Sequence, residues 1–192
     1  MKNFLLVIAI FFGFFSISNI LNAGEKMDRP KYVITTFQKG SELGKIKIEL
    51  FNDVAPKHVA NFDSLVSIGF YDGTAFHRVI PGFMIQGGDP NSKDKPREMW
   101  GFGDPTQQTV PAEFSNLKHK RGIISAARKP DPNSATSQFF ICVADVPHLD
   151  GQYSIFGQVI EGMDVVDKIV NMPRDSRDNP LDKVEMKIEK VK

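Results

Sequence analysis

Residues 76–90 read FHRVIPGFMIQGGDP and set His77, Arg78 and Gln86 among Phe76, Val79, Ile80, Phe83, Met84 and Ile85. An imidazole, a guanidinium and a carboxamide in an apolar run offer hydrogen-bond donors and acceptors beside a surface that excludes water. Other chemistries lack their residues. The four histidines, His58, His77, His119 and His148, show no metal-ligand spacing, and Cys142 has no second cysteine to join it. There is no Gly-x-Ser-x-Gly, and nothing in the sequence ties a serine to a histidine. Gly101-Phe102-Gly103 is too short to cradle a phosphate. An enzyme built from these residues would work by hydrogen bonding and shape, with no metal and no cofactor.

Each polar residue also has a plainer reading. Arg78 could face water from an ordinary strand, and Gln86 could be a strand-end residue. His58, beside Lys57, reads as an exposed helix residue, and His119 in LKHKR as part of a solvated basic turn. Cys142 in FFICVA reads as a buried, inert thiol. Gly87 and Gly88 read as backbone turn positions.

The elements that must position these residues begin after residue 23. Lys2, an apolar run from Phe4 to Phe15 broken only at Gly13, and Leu21-Asn22-Ala23 have the layout of a secretory signal peptide cut after Ala23. An uncleaved anchor is the alternative, since Phe4 to Leu21 barely reaches the length that spans a bilayer. Residues 24–31 read as a polar tether and 32–192 as one domain. Lys2 is the only charge among the first 23 residues, so of 24 basic and 23 acidic residues the remaining chain carries equal numbers. No field is available to draw in nucleic acid or an anionic membrane. With one cysteine, no intramolecular disulfide can form. The absence of an Asn-X-Ser/Thr acceptor and the ending EKVK lean towards a bacterial periplasm, with secretion or tethering as alternatives.

Strands are expected over 32–37 and 45–51, joined by a turn at 39–41, and as two short strands broken at Pro81-Gly82. Further strands are expected over 122–127, 137–144, 153–160 and 184–191. Val59, Phe62, Leu65 and Val66 recur at helical spacing after Pro56, and Met163, Val166, Ile169 and Val170 repeat the pattern over 162–170. Residues 89–112, rich in Pro and Gly, read as a long irregular loop, a class that tends to be functional. Many antiparallel strands with two short helices imply a mainly β, closed barrel with helical caps.

FHRVIPGFMIQGGDP, then SQFFI (137–141), then LDGQYSIFGQVIEGMDVVDKI (149–169) resemble, in that order and spacing, the cyclophilin family of peptidyl-prolyl cis-trans isomerases. SAARKPDPNSATSQFF is similar to the bacterial exported branch. The resemblance implies an eight-stranded antiparallel barrel capped by two helices, with a filled interior and a substrate groove on the outside. It implies that Arg78 acts on the proline and that Phe83, Met84, Phe140 and Leu149 wall the proline pocket. His77, Gln86 and Gln138 would line the groove, and Ala127 and Arg128 would receive the residue before proline. Phe139 and Ile141, alternating with Phe140, should point into the core.

The chain departs from the family pattern at several positions. His148 stands where many members carry tryptophan, which implies weakened cyclosporin binding. Tyr153 replaces a frequent histidine, offering a ring and a hydroxyl instead. Arg128 replaces an asparagine, and the loop KDKPREMWGFGDPTQQ lacks most of the glycines common there, which leaves the preference for the residue before proline open. The implied function is isomerisation of Xaa-Pro bonds by a monomer that assists folding of exported proteins. The alternatives are a module that grips proline segments without turnover, and a holdase.

Overall fold

A computed structural model describes residues 28–191, so the expected signal segment and the first half of the tether, 24–27, lie outside the described residues. Eight strands form one antiparallel sheet: β1 (Lys31–Gln38), β2 (Ser41–Leu50), β3 (Phe76–Ile80), β4 (Met84–Gly87), β5 (Ile123–Ala126), β6 (Phe139–Cys142), β7 (Ile155–Glu161) and β8 (Val184–Lys190). Their order is β3-β4-β6-β5-β7-β2-β1-β8. The two edges nearly meet. Just before β3, Ala75 bridges Glu185, and Met186 N–H donates to the Thr74 carbonyl at 2.8 Å, so the sheet closes on itself as a barrel. Closure leaves few unpaired backbone groups at the edges.

Side chains alternate across each strand, and one set fills the interior. Ile34, Ile46, Ile48, Val79, Ile85, Ile124, Phe139, Ile141 and Ile188 belong to a single buried cluster. Two helices add their apolar faces to it: α1 (Pro56–Ser67) through Val59 and Phe62, and α3 (Met163–Val170) through Val165, Val166, Ile169 and Val170. Phe62 is the hub, with the rings of Tyr32, Tyr71, Phe139 and Phe156 at centroid distances of 5.1–5.8 Å. The filled interior leaves substrate only the outside of the barrel.

Three local expectations need correction. The turn after β1 has two residues, not three: Lys39 (φ 51°) and Gly40 (φ 77°) are both left-handed, the type I′ geometry that matches strand twist. The segment 89–112 is not wholly irregular, since it holds a one-turn helix α2 (Asn91–Asp94) and a 3-10 turn at Arg97–Met99. His58 is buried, because it lies one helical turn before Phe62 on the inward face of α1. Its Nδ1 sits 2.7 Å from Glu113 Oε2, and the Glu113 carboxylate also accepts the backbone N–H groups of Lys57 and His58 at 3.0 Å. Ala55 at the helix N-cap offers no side-chain acceptor, so a loop glutamate satisfies the orphan donors instead.

Replacing Phe62 by Ala removes the hub of five rings. It should destabilise the fold by about 3–5 kcal/mol, measured as a lowered midpoint of urea unfolding.

Candidate active site

The register of four neighbouring strands builds the site. Arg78 pairs with Gln86 across β3–β4, Gln86 with Phe140 across β4–β6, and Phe140 with Ser125 across β6–β5. All four residues therefore share the outer face of the barrel wall, while Val79, Ile85, Phe139 and Ile141 take the inner face. This outer face is unusual in being apolar. Met84, Phe140 and Cys142 form a second buried cluster with Val146 and Leu149, from the loop that folds back over the wall, and Ile80, Phe83, Ala127 and Tyr153 pack against it. The Cys142 thiol is sealed there, and burial pushes it up to about 12, so it stays protonated and inert.

A cavity of about 120 Å³ opens in this cluster, lined by Arg78, Phe83, Met84, Gln86, Ala127, Arg128, Phe140, Leu149 and Tyr153. The Tyr153 ring meets Phe140 edge-on at 5.7 Å, and the Arg128 guanidinium lies 4.5 Å above the Tyr153 ring. Arg128 is held in place by donation to the carbonyls of Gln152, Lys129 and Pro130. His148 stands exposed at the rim, its ring 5.8 Å from that of Phe83.

Arg78 makes one weak hydrogen bond, Nη1 to Gln86 Oε1 at 3.4 Å, and no carboxylate among the described residues pairs with it. A guanidinium has five N–H donors, so most of them remain available to a ligand. Gln86 is fixed from behind: its Nε2 donates to Gln138 Oε1 at 2.9 Å, and Gln138 Nε2 donates to the Gly101 carbonyl at 3.1 Å. The carboxamide chain fixes which face Gln86 shows to Arg78.

A second cavity of about 150 Å³ adjoins the first and shares Gln86, Ala127 and Arg128 with it. Its far wall comes from the 89–112 segment, with Gly101, Phe102, Asp104 and Pro105, and from Lys129 and Thr136. The sequence marks this segment as functional by its length but assigns none of these residues to the groove. Asp89 organises it: this buried carboxylate accepts the N–H groups of Asn91, Gly101 and Gly103 and folds the segment back against the groove. Trp100 lines neither cavity. Its Nε1 donates to the Lys95 carbonyl at 3.0 Å, and the Arg97 guanidinium lies 4.9 Å above its ring.

Two histidines differ from expectation. His77 was expected to line the groove, but it is 2 % exposed and belongs to neither cavity. The β3–β4 register slips between Phe76 and Arg78, so His77 is the extra residue of a bulge, and its ring lies beneath the 89–112 segment against Gly101. Neither of its ring nitrogens has a hydrogen-bond partner. His119 is also buried, not solvated: its Nδ1 lies 3.0 Å from Asp150 Oδ1 and its Nε2 2.9 Å from Ser125 Oγ. The flanking Lys118, Lys120 and Arg121 hid this in the sequence.

With this geometry in place, relatives decide the family. Residues 33–192 match the model of the cyclophilin-type peptidyl-prolyl cis-trans isomerases. The chain belongs to that family. Its sequence is 48 % identical over 147 residues to a peptidyl-prolyl cis-trans isomerase of Acinetobacter baylyi, covering 72 % of this chain and 73 % of the relative. It is 49 % identical over 130 residues to a probable peptidyl-prolyl cis-trans isomerase of Brucella suis, covering 66 % of each. The fold matches a cyclophilin-type isomerase of Cryptosporidium parvum crystallised in the presence of the dipeptide Ala-Pro, with TM-score 0.74 and 34 % identity, over 84 % of this chain and 99 % of that one. The chain is a peptidyl-prolyl cis-trans isomerase.

The buried histidines make its stability depend on pH. Burial holds His58 below the usual imidazole range despite Glu113, and His119 despite Asp150. Burial also lowers His77, with only partial relief from Asp89. The unfolded chain takes up these protons near the ordinary value of about 6.5, and the folded chain only at lower pH. In that interval the unfolded state binds more protons, so stability falls as pH drops below about 6.5. The urea midpoint should be lower at pH 5 than at pH 7.5; equal midpoints would contradict neutral buried imidazoles.

Proposed function

We propose that Arg78 accelerates Xaa-Pro rotation by donating to the prolyl nitrogen while the pyrrolidine ring sits among Phe83, Met84, Phe140 and Leu149. The observation that carries this reading is an unpaired guanidinium at the rim of an apolar cavity. The planar Xaa-Pro amide resists rotation with a barrier of roughly 18–20 kcal/mol, because its C–N bond has partial double-bond character. As the amide twists, the nitrogen becomes pyramidal and regains its lone pair. A donor aimed at that nitrogen stabilises the twisted state far more than the planar one, and this difference is what accelerates rotation. Arg suits the position because it stays charged and its fork is stiff. An acceleration of about 10⁵ needs only ~7 kcal/mol of such preference. No bond is cleaved, and no metal or cofactor enters the reaction.

Gln86 orients Arg78, and Gln138 orients Gln86. The residues before proline lie over Ala127 and Arg128 towards the second cavity. His148 gives the rim a smaller ring than tryptophan would, so cyclosporin binds weakly. We further propose that residues 1–23 are removed on export, that the residues between the cut and β1 tether the domain, and that the monomer assists folding of exported proteins in the periplasm. Amino-terminal sequencing of the exported chain, expected to begin at Gly24, checks the first step.

The Arg78→Ala variant of residues 24–192 should lose about 100-fold or more in kcat/KM for an Xaa-Pro tetrapeptide, in line with removal of one charged transition-state donor. Its suppression of aggregation of an unfolded protein should be unchanged. A variant that isomerises as fast as the parent would remove Arg78 from the mechanism.

A further inference from the structure

Asp150, His119 and Ser125 form a continuous array just behind the proline cavity. Asp150 Oδ1 accepts the His119 backbone N–H at 2.8 Å as well as facing Nδ1 at 3.0 Å, and Ser125 Oγ lies 2.9 Å from Nε2. Lys118 Nζ lies 3.3 Å from Asp150 Oδ2. The backbone and imidazole N–H groups of His119 hold the Asp150 carboxyl down at about 2, so it is ionised. An ionised carboxylate only accepts, which places the ring proton on Nδ1 and leaves Nε2 to accept from the Ser125 hydroxyl.

The order of residue types is that of a nucleophilic triad, but Ser125 is fully buried in β5 and belongs to neither cavity lining. No substrate atom can reach its oxygen. The array must act through what it touches.

It touches both walls of the proline cavity. The imidazole lies nearly parallel to the Phe140 ring, at 14° and 6.3 Å between centroids, and Ser125 is the cross-strand partner of Phe140. On the other side, the His119 carbonyl accepts the Val146 N–H at 2.8 Å, and the Val146 carbonyl accepts the Leu149 N–H at 3.1 Å. Asp150 directly follows Leu149. His119 thus backs Phe140 on one wall and ties down the 146–150 turn that carries Leu149 on the other. Phe140 and Leu149 come from separate segments, and nothing in the barrel's own hydrogen-bond ladder fixes the gap between them.

We infer that His119, anchored by Asp150, is a positioning residue that sets the width of the proline cavity. This rests on the reading of that cavity as the proline site. Loosening the array should weaken ground-state capture of the ring while leaving donation from Arg78 intact, so the effect should fall on KM and not on kcat.

The test is steady-state isomerisation of an Xaa-Pro tetrapeptide by the 24–192 chain and by Asp150→Ala, His119→Phe and Arg78→Ala, each checked for native near-ultraviolet circular dichroism. His119→Phe keeps a flat ring against Phe140 but has neither polar nitrogen, which guards against a result due to lost packing alone. Asp150→Ala and His119→Phe should raise KM about fivefold to tenfold, the scale of one hydrogen bond's loss, with kcat within about twofold. Folded variants with lowered melting temperature but parental KM would overturn the inference and reduce the array to a structural brace. If Arg78→Ala loses activity while the other two keep their KM, only this inference falls. If Arg78→Ala stays fully active, Arg78 leaves the mechanism, while a raised KM in the other two variants would still support this inference and a parental KM would overturn it.

Discussion

The site depends on strand register. Because side chains alternate along a strand, a shift of one residue between β4 and β6 would send Phe140 inside the barrel and Phe139 out. The observed pairing aligns Arg78, Gln86, Phe140 and Ser125 in one row across four strands. The proposed donor, its orienting amide, the proposed ring-binding wall and the support behind that wall thus occupy successive rungs of one ladder. What pins the register is the inner face: Ile85, Phe139, Ile141 and Ile124 would each have to leave the core for it to slip. The stability of the barrel and the precision of the site are the same constraint seen from two sides of one wall.

The chemistry asked of this wall is small, which explains how sparse the site is. Rotation about an amide needs no nucleophile, base or metal, only a preference for a twisted amide over a planar one. One charged donor near a dry surface can supply most of that preference. The polar groups around Arg78 do not neutralise it: Gln86 and Gln138 are amides, and the buried Asp89 carboxylate is engaged by the backbone of the 89–112 segment. In the proposed mechanism, a carboxylate paired with Arg78 would compete directly with the prolyl nitrogen.

Much of this was legible in the sequence, and for physical reasons. Alternation in KIKIEL, helical spacing after Pro56 and the FHRVIPGFMIQ run each reflect a local rule that the fold obeys. Once the resemblance put Phe140 on the pocket side, period two sent Phe139 and Ile141 inside, as observed. The misses share a cause: burial decided by distant chain. His119 lies between lysines, yet Asp150, 31 residues away, and Ser125 draw its ring inward. His77 was placed in the groove by the family resemblance, but the 89–112 segment, through Gly101, covers its ring. His58 was recoverable, since it shares a helical face with Phe62, but its charged neighbour obscured the pattern. The second cavity was out of reach, because its wall is a loop folded back by one buried aspartate.

The central claim is spatial: a proline ring in the Phe83–Met84–Phe140–Leu149 cavity places its nitrogen before Arg78. The most direct measurement is a crystal structure of residues 24–192 with a bound Xaa-Pro tetrapeptide. The account predicts the ring in that cavity, a guanidinium nitrogen within about 3.5 Å of the prolyl nitrogen or of the twisting amide, and the preceding residue over Ala127 and Arg128. A ring seated in the second cavity, or an Arg78 side chain turned away from the peptide, would contradict it.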